Sequence, residues 1–312
     1  ARGEAASAPR PGAARRAAAA AVIVLAASFA ALPATGAPDR PSESFHGAEG
    51  IGGFLHRPGT ADGPSAVVLI VHDSLGMDTR SHRYITQLAA AGVAALEIEL
   101  GANPPDGFPE PLPDTAEATG LVARAAIALA VDPRFDPARI GAIGFGLGAR
   151  AVALTPGAGP GGVAFAARVL FYPGCASLRD LLPRAHLAAG TVAAPVLVVD
   201  GEEDAANPPA ACEALAAALS AAGPVRLIAY HGAGYAWDQP QVGGSELAAQ
   251  PWPGGPGTIG ARSWPELADL SAAQVAGFLF RALAGGNRAN GPAGGPSGHG
   301  TAAAPFAGGP RR

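Results

Sequence analysis

The sequence predicts an α/β protein with a mostly parallel twisted sheet of about seven to eight strands, flanked by helices on both faces. Two observations predict this class. Short, continuous apolar runs, such as VVLIV at 67–71, are typical of strands that are buried on both faces. These runs alternate with helical stretches, as is required where crossover helices join parallel strands. With 312 residues, of which 49% are hydrophobic, the chain is long enough to bury a full core.

The predicted elements follow one another in a regular order. An antiparallel edge strand is predicted first, over 52–56. Strands are then expected at 67–71, 93–100, 140–145, 168–172, 196–200 and 225–230. Helices are expected at 82–91, 115–131, 147–154, 209–222 and 265–284. The stretch 239–263 is rich in Gly and Pro and is predicted to be a long loop, of the kind that often serves as a lid.

The first residues have the three-part layout of a secretory signal. Arginines at positions 2, 10, 15 and 16 precede an uncharged apolar run over 17–32, and small residues follow up to Ala37. We therefore predict a signal peptide over 1–37, whose cleavage site stays open, and export to the periplasm or the medium. The apolar run is shorter than the roughly 20 residues that span a bilayer, so no stable membrane span is expected after cleavage. Residues 38–284 form the predicted domain, and 285–312 a disordered tail rich in Gly, Pro and Ala.

Charge and histidine spacing exclude some function classes. The formal net charge is only −4 and no basic stripe is visible, so nucleic acid is not expected as a partner. The histidines lack the spacing of metal ligands, and we expect neither a metal nor a cofactor. The oligomeric state stays open.

The chain has two cysteines, Cys175 and Cys212. Export would permit a disulfide between them, and the predicted elements place both near the same edge of the sheet. The alternative is a pair of buried thiols that act as small hydrophobic residues. The sequence leaves both open because it does not give the separation of the two Cα atoms.

The most informative motif is GFGLG at 144–148, which follows a predicted strand and precedes a predicted helix. Hydrolases place the motif G-x-S-x-G at such a turn, with the nucleophile at the helix N-terminus. The segment resembles the dienelactone hydrolase family of the α/β-hydrolase superfamily, whose members carry G-F-C-x-G-G or G-F-S-x-G-G. In this alignment Gly146 stands at the nucleophile position, followed by Leu147. A dinucleotide-binding loop is the alternative, but the motif comes mid-domain, after two βα units, where such a loop is not expected.

Three further segments continue the resemblance in the chain order of the family. HDSLG at 72–76 is similar to the oxyanion loop, which places Asp73 and Ser74 at the pocket. DGEED at 200–204, followed by Pro208, makes Asp204 the counterpart of the triad acid. YHGAGYAWD at 230–238 places Tyr235 at the position of the base, with His231 where relatives have Pro.

The resemblance therefore implies a carboxylic ester or lactone hydrolase fold with an incomplete triad. Gly146 has no side chain to attack with, and a tyrosine, with an unperturbed pKa near 10, accepts a proton poorly at neutral pH. We expect a catalytically degenerate, exported protein that binds a partner or a small molecule resembling an ester or lactone. The alternative is an active hydrolase that uses Asp204 with Ser74, His231 or an activated water. A third possibility, a scaffold with no pocket role, would be signalled by bulky side chains filling the cleft.

Overall fold

The computed structural model describes residues 42–47, 51–59, 63–74, 76–100, 113–157, 163–186, 194–240 and 248–289. The strands, in chain order, are β1 (Glu43–His46), β2 (Gly52–His56), β3 (Ser65–Val71), β4 (Ala94–Ile98), β5 (Phe135–Phe145), β6 (Ala167–Phe171), β7 (Val196–Gly201), β8 (Val225–Tyr230), β9 (Ala248–Pro251) and β10 (Thr258–Ala261). The helices are α1 (Ser81–Ala90), α2 (Thr115–Val131), α3 (Leu147–Leu154), α4 (Cys175–His186), α5 (Pro209–Ser220) and α6 (Pro265–Ala289).

The main sheet has eight strands in the order β1-β2-β4-β3-β5-β6-β7-β8. Strands β4, β3, β5, β6, β7 and β8 are mutually parallel, whereas β2 pairs antiparallel with β4. This arrangement confirms the predicted fold class. The strand at 52–56 is antiparallel as predicted, but it is not the edge strand, because β1 pairs with its other side. The sequence of β1, ESFH, has no apolar run by which it could be recognised.

Apolar side chains alternate between the two faces of the sheet, as the pleat of a strand requires. On β3, Val67, Leu69 and Val71 join the core beneath α2, α3, α4 and α5. The intervening Val68 and Ile70 join the core beneath α1 and α6. Both faces are therefore covered, which explains why β3 reads as one continuous apolar run.

The strand registers bring the carboxyl ends of the central strands to one edge. Val71 on β3 lies opposite Gly144 on β5, and Phe145 lies opposite Phe171 on β6. Gly201 on β7 lies opposite Tyr230 on β8. In parallel sheets this edge carries the binding or catalytic loops. The segments that begin at residues 72, 146, 172, 202 and 231 all leave the sheet there.

Two predictions of local structure were wrong. The stretch 239–263 is not simply a loop, because it contains the antiparallel hairpin of β9 and β10. Helix α4 was not predicted, since Pro183 within it counts against a helix interior. Both hairpin strands have only four residues, too few to show a period against a background of Gly and Pro.

The last helix is longer than predicted and docks on the sheet. It runs to Ala289 rather than 284, because extending a docked helix through two glycines costs only about 1 kcal/mol for each glycine. Its stretch Pro265–Ala284 is apolar and long enough to cross a bilayer, with a hydropathy of 1.3. It packs against α1 and β5 instead and buries Val275 and Leu279, as a core helix does. The predicted signal at 1–37 and the remaining tail at 290–312 lie outside the described residues.

Candidate active site

Gly146 forms the turn between β5 and α3. Its backbone has φ 51° and ψ −112°, a conformation that costs a residue with a side chain about 1–3 kcal/mol. The Gly146 amide donates to the Phe171 carbonyl (3.1 Å), and its own carbonyl accepts from the Arg150 amide (3.2 Å), which begins the helix. The chain therefore makes the sharp strand-to-helix turn that presents a nucleophile in hydrolases.

A second glycine of the motif allows α3 to start close to β3. A Cβ atom on Gly148 would collide with the carbonyl oxygens of Val71 and His72. Only glycine permits this approach, which holds the elbow beside the loop that follows β3.

The space in front of Gly146 is filled by Tyr235. A Cβ atom built on Gly146 would lie 2.7 Å from the Tyr235 hydroxyl oxygen and 3.2 Å from Cβ of Asp73. Tyr235 is only 2% exposed and packs edge-on against Tyr172, with ring centroids 4.8 Å apart. The hydroxyl therefore lies against the place where the side chain of a nucleophile would begin, and the ring that carries it is buried.

Tyr235 is held in its neutral, protonated form. Burial raises the pKa of its hydroxyl well above the usual 10.0, and the charge of Asp73 raises it further, against an opposing effect of Arg80. A phenol in this state does not accept a proton from a serine or cysteine near neutral pH. Tyr235, which the sequence alignment predicts at the position of the triad base, therefore lacks the chemistry of a base.

Asp204 is buried beside this site and is satisfied by its own loop. Its carboxylate accepts from the Ala206 amide (2.8 Å) and from Nδ2 of Asn207 (2.9 Å). Burial raises the pKa of Asp204 to about 6, against the lowering effect of these hydrogen bonds. Its charge in turn helps to raise the pKa of Tyr235, which places the two groups in one electrostatic environment. The carboxylate thus stays at the acid position but binds amides instead of a base.

Asn207 connects the Asp204 loop to helix α4. Its side-chain oxygen accepts from the amides of Gly174 (2.8 Å) and Cys175 (3.0 Å) at the start of that helix. Cys175 forms a disulfide with Cys212 on α5, with the Cα atoms 5.0 Å apart. The disulfide that the sequence left open is therefore present, and it ties α4 to α5 directly behind the Asp204 loop.

The Asp73 side of the elbow is organised by a buried arginine. Arg80 is fully buried, and its Nη2 lies 2.9 Å from Oδ2 of Asp73. Its Nε donates to both carboxylate oxygens of Asp78 (2.9 and 2.8 Å), and its Nη1 donates to the Tyr172 hydroxyl (3.0 Å). Two carboxylates therefore share one buried cation next to Gly146.

The network continues to a second buried carboxylate, Asp238. The hydroxyls of Tyr172 and Tyr84 each donate to it at 2.7 Å. Burial raises the pKa of Asp238, although the charge of Arg80 and both hydroxyl donors oppose that shift. This chain of contacts fixes Tyr172, on whose ring Tyr235 packs.

Of the predicted pocket residues, His231 is not at the site. Its side chain is 94% exposed, and its Nδ1 lies 2.9 Å from the Glu202 carboxylate, a contact that raises its pKa. The tight turn after β8 directs the ring to solvent, which the sequence did not reveal. Ser74 is half-buried in the loop after β3, and Leu147 is half-buried at the first position of α3. The amide of Leu147 belongs to the first turn of the helix, where amides have no partner within the helix.

The hairpin of β9 and β10 covers one side of this edge. Ala261 on β10 forms a parallel bridge with Tyr235. The Pro253 carbonyl lies so close to Gly174 that a Cβ atom there would collide with it. The segment predicted as a lid-like loop therefore packs against both the Tyr235 segment and the start of α4.

Sequence reasoning missed Arg80, Tyr172 and Asn207. The spacing Asp78-x-Arg80 allows an ion pair, but such pairs are usually exposed, and the sequence does not show that Arg80 is buried. The dipeptide Asn207-Pro208 is a turn signal that marks the loop without revealing the partners of the amide. Tyr172 ends an apolar strand, and nothing in the sequence indicates that its hydroxyl joins a buried network.

The sheet order, the elbow and the sequence of loops define an α/β hydrolase. In sequence, residues 112–251 match the dienelactone hydrolase family, and residues 33–155 match the family described as esterase FrsA-like. The chain therefore has the α/β-hydrolase fold, and over part of its length it is similar in sequence to the dienelactone hydrolase family.

Solved structures show the same fold. A dienelactone hydrolase-like promiscuous phosphotriesterase from metagenomic libraries aligns with a TM-score of 0.58 and 21% identity, over 78% of this chain and 98% of that one. A dienelactone hydrolase from Anabaena variabilis aligns with a TM-score of 0.53 and 19% identity, over 78% and 97% of the two chains. Est1E from Butyrivibrio proteoclasticus gives a TM-score of 0.52 and 12% identity, over 78% and 99%. No curated protein matches the chain in sequence.

Proposed function

We propose that this chain has lost ester and lactone hydrolysis at its elbow and acts as an exported binding protein for a small molecule or a partner. The observation that supports the loss is the position of the Tyr235 hydroxyl, 2.7 Å from where a Cβ of residue 146 would stand. A serine or cysteine at that position would collide with this tyrosine unless the ring moved. Gly146 and Tyr235, which stand at the nucleophile and base positions, therefore depend on each other in packing: the glycine leaves the space beside which the tyrosine hydroxyl lies.

The alternative, an active hydrolase with a rearranged site, has weaker support. His231 points to solvent and pairs with Glu202. Both oxygens of Asp204 already accept hydrogen bonds within its loop, so a water at this carboxylate would share its oxygens with those donors. Ser74 is left as the side chain on which such a mechanism would depend.

A ligand would contact the rim of the site rather than its centre. Tyr235 fills the inner position, as the third possibility, a scaffold with no pocket role, would predict there, whereas Ser74 and Leu147 keep part of their surface in solvent. A small molecule resembling an ester or lactone would therefore lie against these two residues, above the tyrosine. Export is supported by the layout of the leader and by the Cys175–Cys212 disulfide, since disulfides persist in oxidising compartments.

The direct test is an activity assay on the purified protein with p-nitrophenyl acetate, together with a serine-directed fluorophosphonate probe. We expect no turnover above the buffer rate and no covalent label, because no activated nucleophile faces the site. Robust turnover that disappears in the Asp204→Ala variant would overturn the proposal.

A reconstruction experiment tests the packing argument. In Gly146→Ser alone, the new side chain meets the Tyr235 hydroxyl, and in Tyr235→His alone the nucleophile is still absent. The double variant removes the collision and supplies both groups, so it should hydrolyse p-nitrophenyl acetate at least about tenfold faster than either single variant, since these residues act as a unit. A folded double variant with no activity would show that the neighbouring loops have also lost their catalytic geometry.

A further inference from the structure

Asp200 is a buried carboxyl group that the site does not use. It lies near the end of β7, is 0% exposed, and neither of its oxygens has a hydrogen-bond partner in the described part of the structure. Alternation along the strand places it on the same face as Val196 and Val198, which α5 covers. An ionised carboxylate is unfavourable in such a place unless a cation or donors compensate it.

The charged groups around Asp200 do not compensate it, because they are negative. Asp204 and Glu202 both act against its ionisation, and no cation among the described residues opposes them. The loop donors from Ala206 and Asn207 serve Asp204 instead. The remaining neighbours on the packed elements are uncharged or exposed: Ala229 on β8, Phe171 and the neutral Tyr172 at the end of β6, and the bridged Cys212 and exposed Glu213 on α5.

Asp200 and Asp204 differ in how the fold treats their negative charge. Asp204 receives hydrogen bonds from two other residues, which favour a carboxylate, whereas no other described residue donates to Asp200, and only its own backbone amide opposes the rise of its pKa. Burial, followed by the charges of Asp204 and Glu202, raises the pKa of Asp200 to about 7. Near neutral pH and below, Asp200 is therefore the member of the pair that keeps its proton.

We infer that Asp200 and Asp204 form a proton-holding carboxyl pair that makes the fold most stable in mildly acidic solution and loosens the 200–207 segment as the solution becomes neutral. The consequence reaches beyond the pair. Asn207 joins Asp204 to the amides of Gly174 and Cys175, so the 200–207 segment is connected to the start of α4.

The direction of the pH dependence follows from proton binding. In the unfolded chain an aspartate has a pKa near 3.9, and in the fold that of Asp200 is about 7. Between these values the folded protein holds the proton and the unfolded chain does not, so the contribution of Asp200 to stability falls as the pH rises. Above the folded value this contribution is fully lost and no longer changes.

The test compares thermal unfolding of wild type, Asp200→Asn and Asp180→Asn between about pH 4.5 and 8.5. Asparagine resembles the protonated acid but cannot ionise, so Asp200→Asn should raise Tm by roughly 5 °C at pH 8. The gain should shrink towards zero at the acidic end. Asp180 is exposed, and its variant should follow wild type at every pH. A difference between Asp200→Asn and wild type that does not vary with pH would overturn the inference.

A second measurement needs only the wild-type protein. Carbon-13 NMR of the aspartate carboxyl carbons should show one buried group that titrates close to neutral pH, well above the ordinary range. If every aspartate carboxyl carbon titrates below about pH 5, the inference is wrong, whether or not the Asp200→Asn variant folds.

Discussion

The two sides of the Gly146 turn are held by different means. On the side of β3, the buried Arg80 joins Asp73 and Asp78 by ion pairs. On the side of β7, the Asp204 loop is held by amide hydrogen bonds from Asn207 and by a disulfide behind it. Both sides bury carboxylates at the same edge of the sheet, but only the first provides them with a cation.

This difference reverses the pH response of the two sides. The pKa of Asp78 is lowered because the Arg80 charge and hydrogen bonds outweigh the effect of burial, so its stabilising contribution is lost only as the solution becomes strongly acidic. No cation among the described residues acts on Asp204, and burial raises its pKa to about 6. The ion pairs on the side of β3 therefore keep their stabilising effect as the pH rises. On the side of β7, stability falls as Asp204 loses its proton, and the disulfide supplies the remaining support.

The largest effect is expected from removing the shared cation. Arg80→Met should lower the free energy of unfolding by about 3–5 kcal/mol, because it leaves the buried Asp73 and the half-buried Asp78 without their positive partner. Urea denaturation measures this loss. Arg83→Met is the matched control: its pair with the exposed Asp269 is partly solvated and should contribute under about 1 kcal/mol. Equal losses in the two variants would contradict the claim that the buried Arg80 stabilises the fold more than an exposed ion pair does.

The covalent link should come next. Replacing Cys175 and Cys212 together by serine should lower the free energy of unfolding by about 2–4 kcal/mol, because the unfolded chain regains the freedom of the closed loop. Denaturation of wild type with and without a reductant should show the same loss, while the double variant should not respond to the reductant. A wild type that is insensitive to reductant under conditions that reduce the bridge would refute this expectation.

The smallest effect is expected from Asn207→Ala. It removes acceptors from two helix amides and one donor from Asp204, and should lower the free energy of unfolding by roughly 1–3 kcal/mol. Hydrogen exchange should locate the change at the start of α4. A loss below about 0.5 kcal/mol would mean that water replaces the asparagine without cost.

The fold could be predicted from the sequence because it depends on local and repetitive signals. The buried strands are continuous apolar runs, and the glycines of the elbow follow from the close approach of α3 to β3. Gly146, Asp204 and Tyr235 were predicted as site positions from their order in the chain. Their sequence segments keep the spacing of a family whose loops meet at one sheet edge.

The partners of these residues could not be predicted. The ion pair of Arg80 with Asp73 depends on how the loop after β3 folds back, which no periodicity encodes. His231 was expected at the pocket because it lies four residues from Tyr235, yet the turn after β8 sends its ring to solvent. The sequence shows that Tyr235 lacks the basicity of a histidine. Only the distance between its hydroxyl and Gly146 shows that it also lies against the nucleophile position.

That distance also couples the two substituted positions. A tyrosine hydroxyl 2.7 Å from the place of a Cβ leaves too little room for a side chain at position 146 while the ring stays where it is, so the glycine and the tyrosine fit together as a pair. Neither single replacement supplies a working pair: a serine at position 146 meets the hydroxyl, and a histidine at position 235 finds no nucleophile to activate. The packing of one buried ring thus makes the rebuilding of a nucleophile and its base a change of two residues at once.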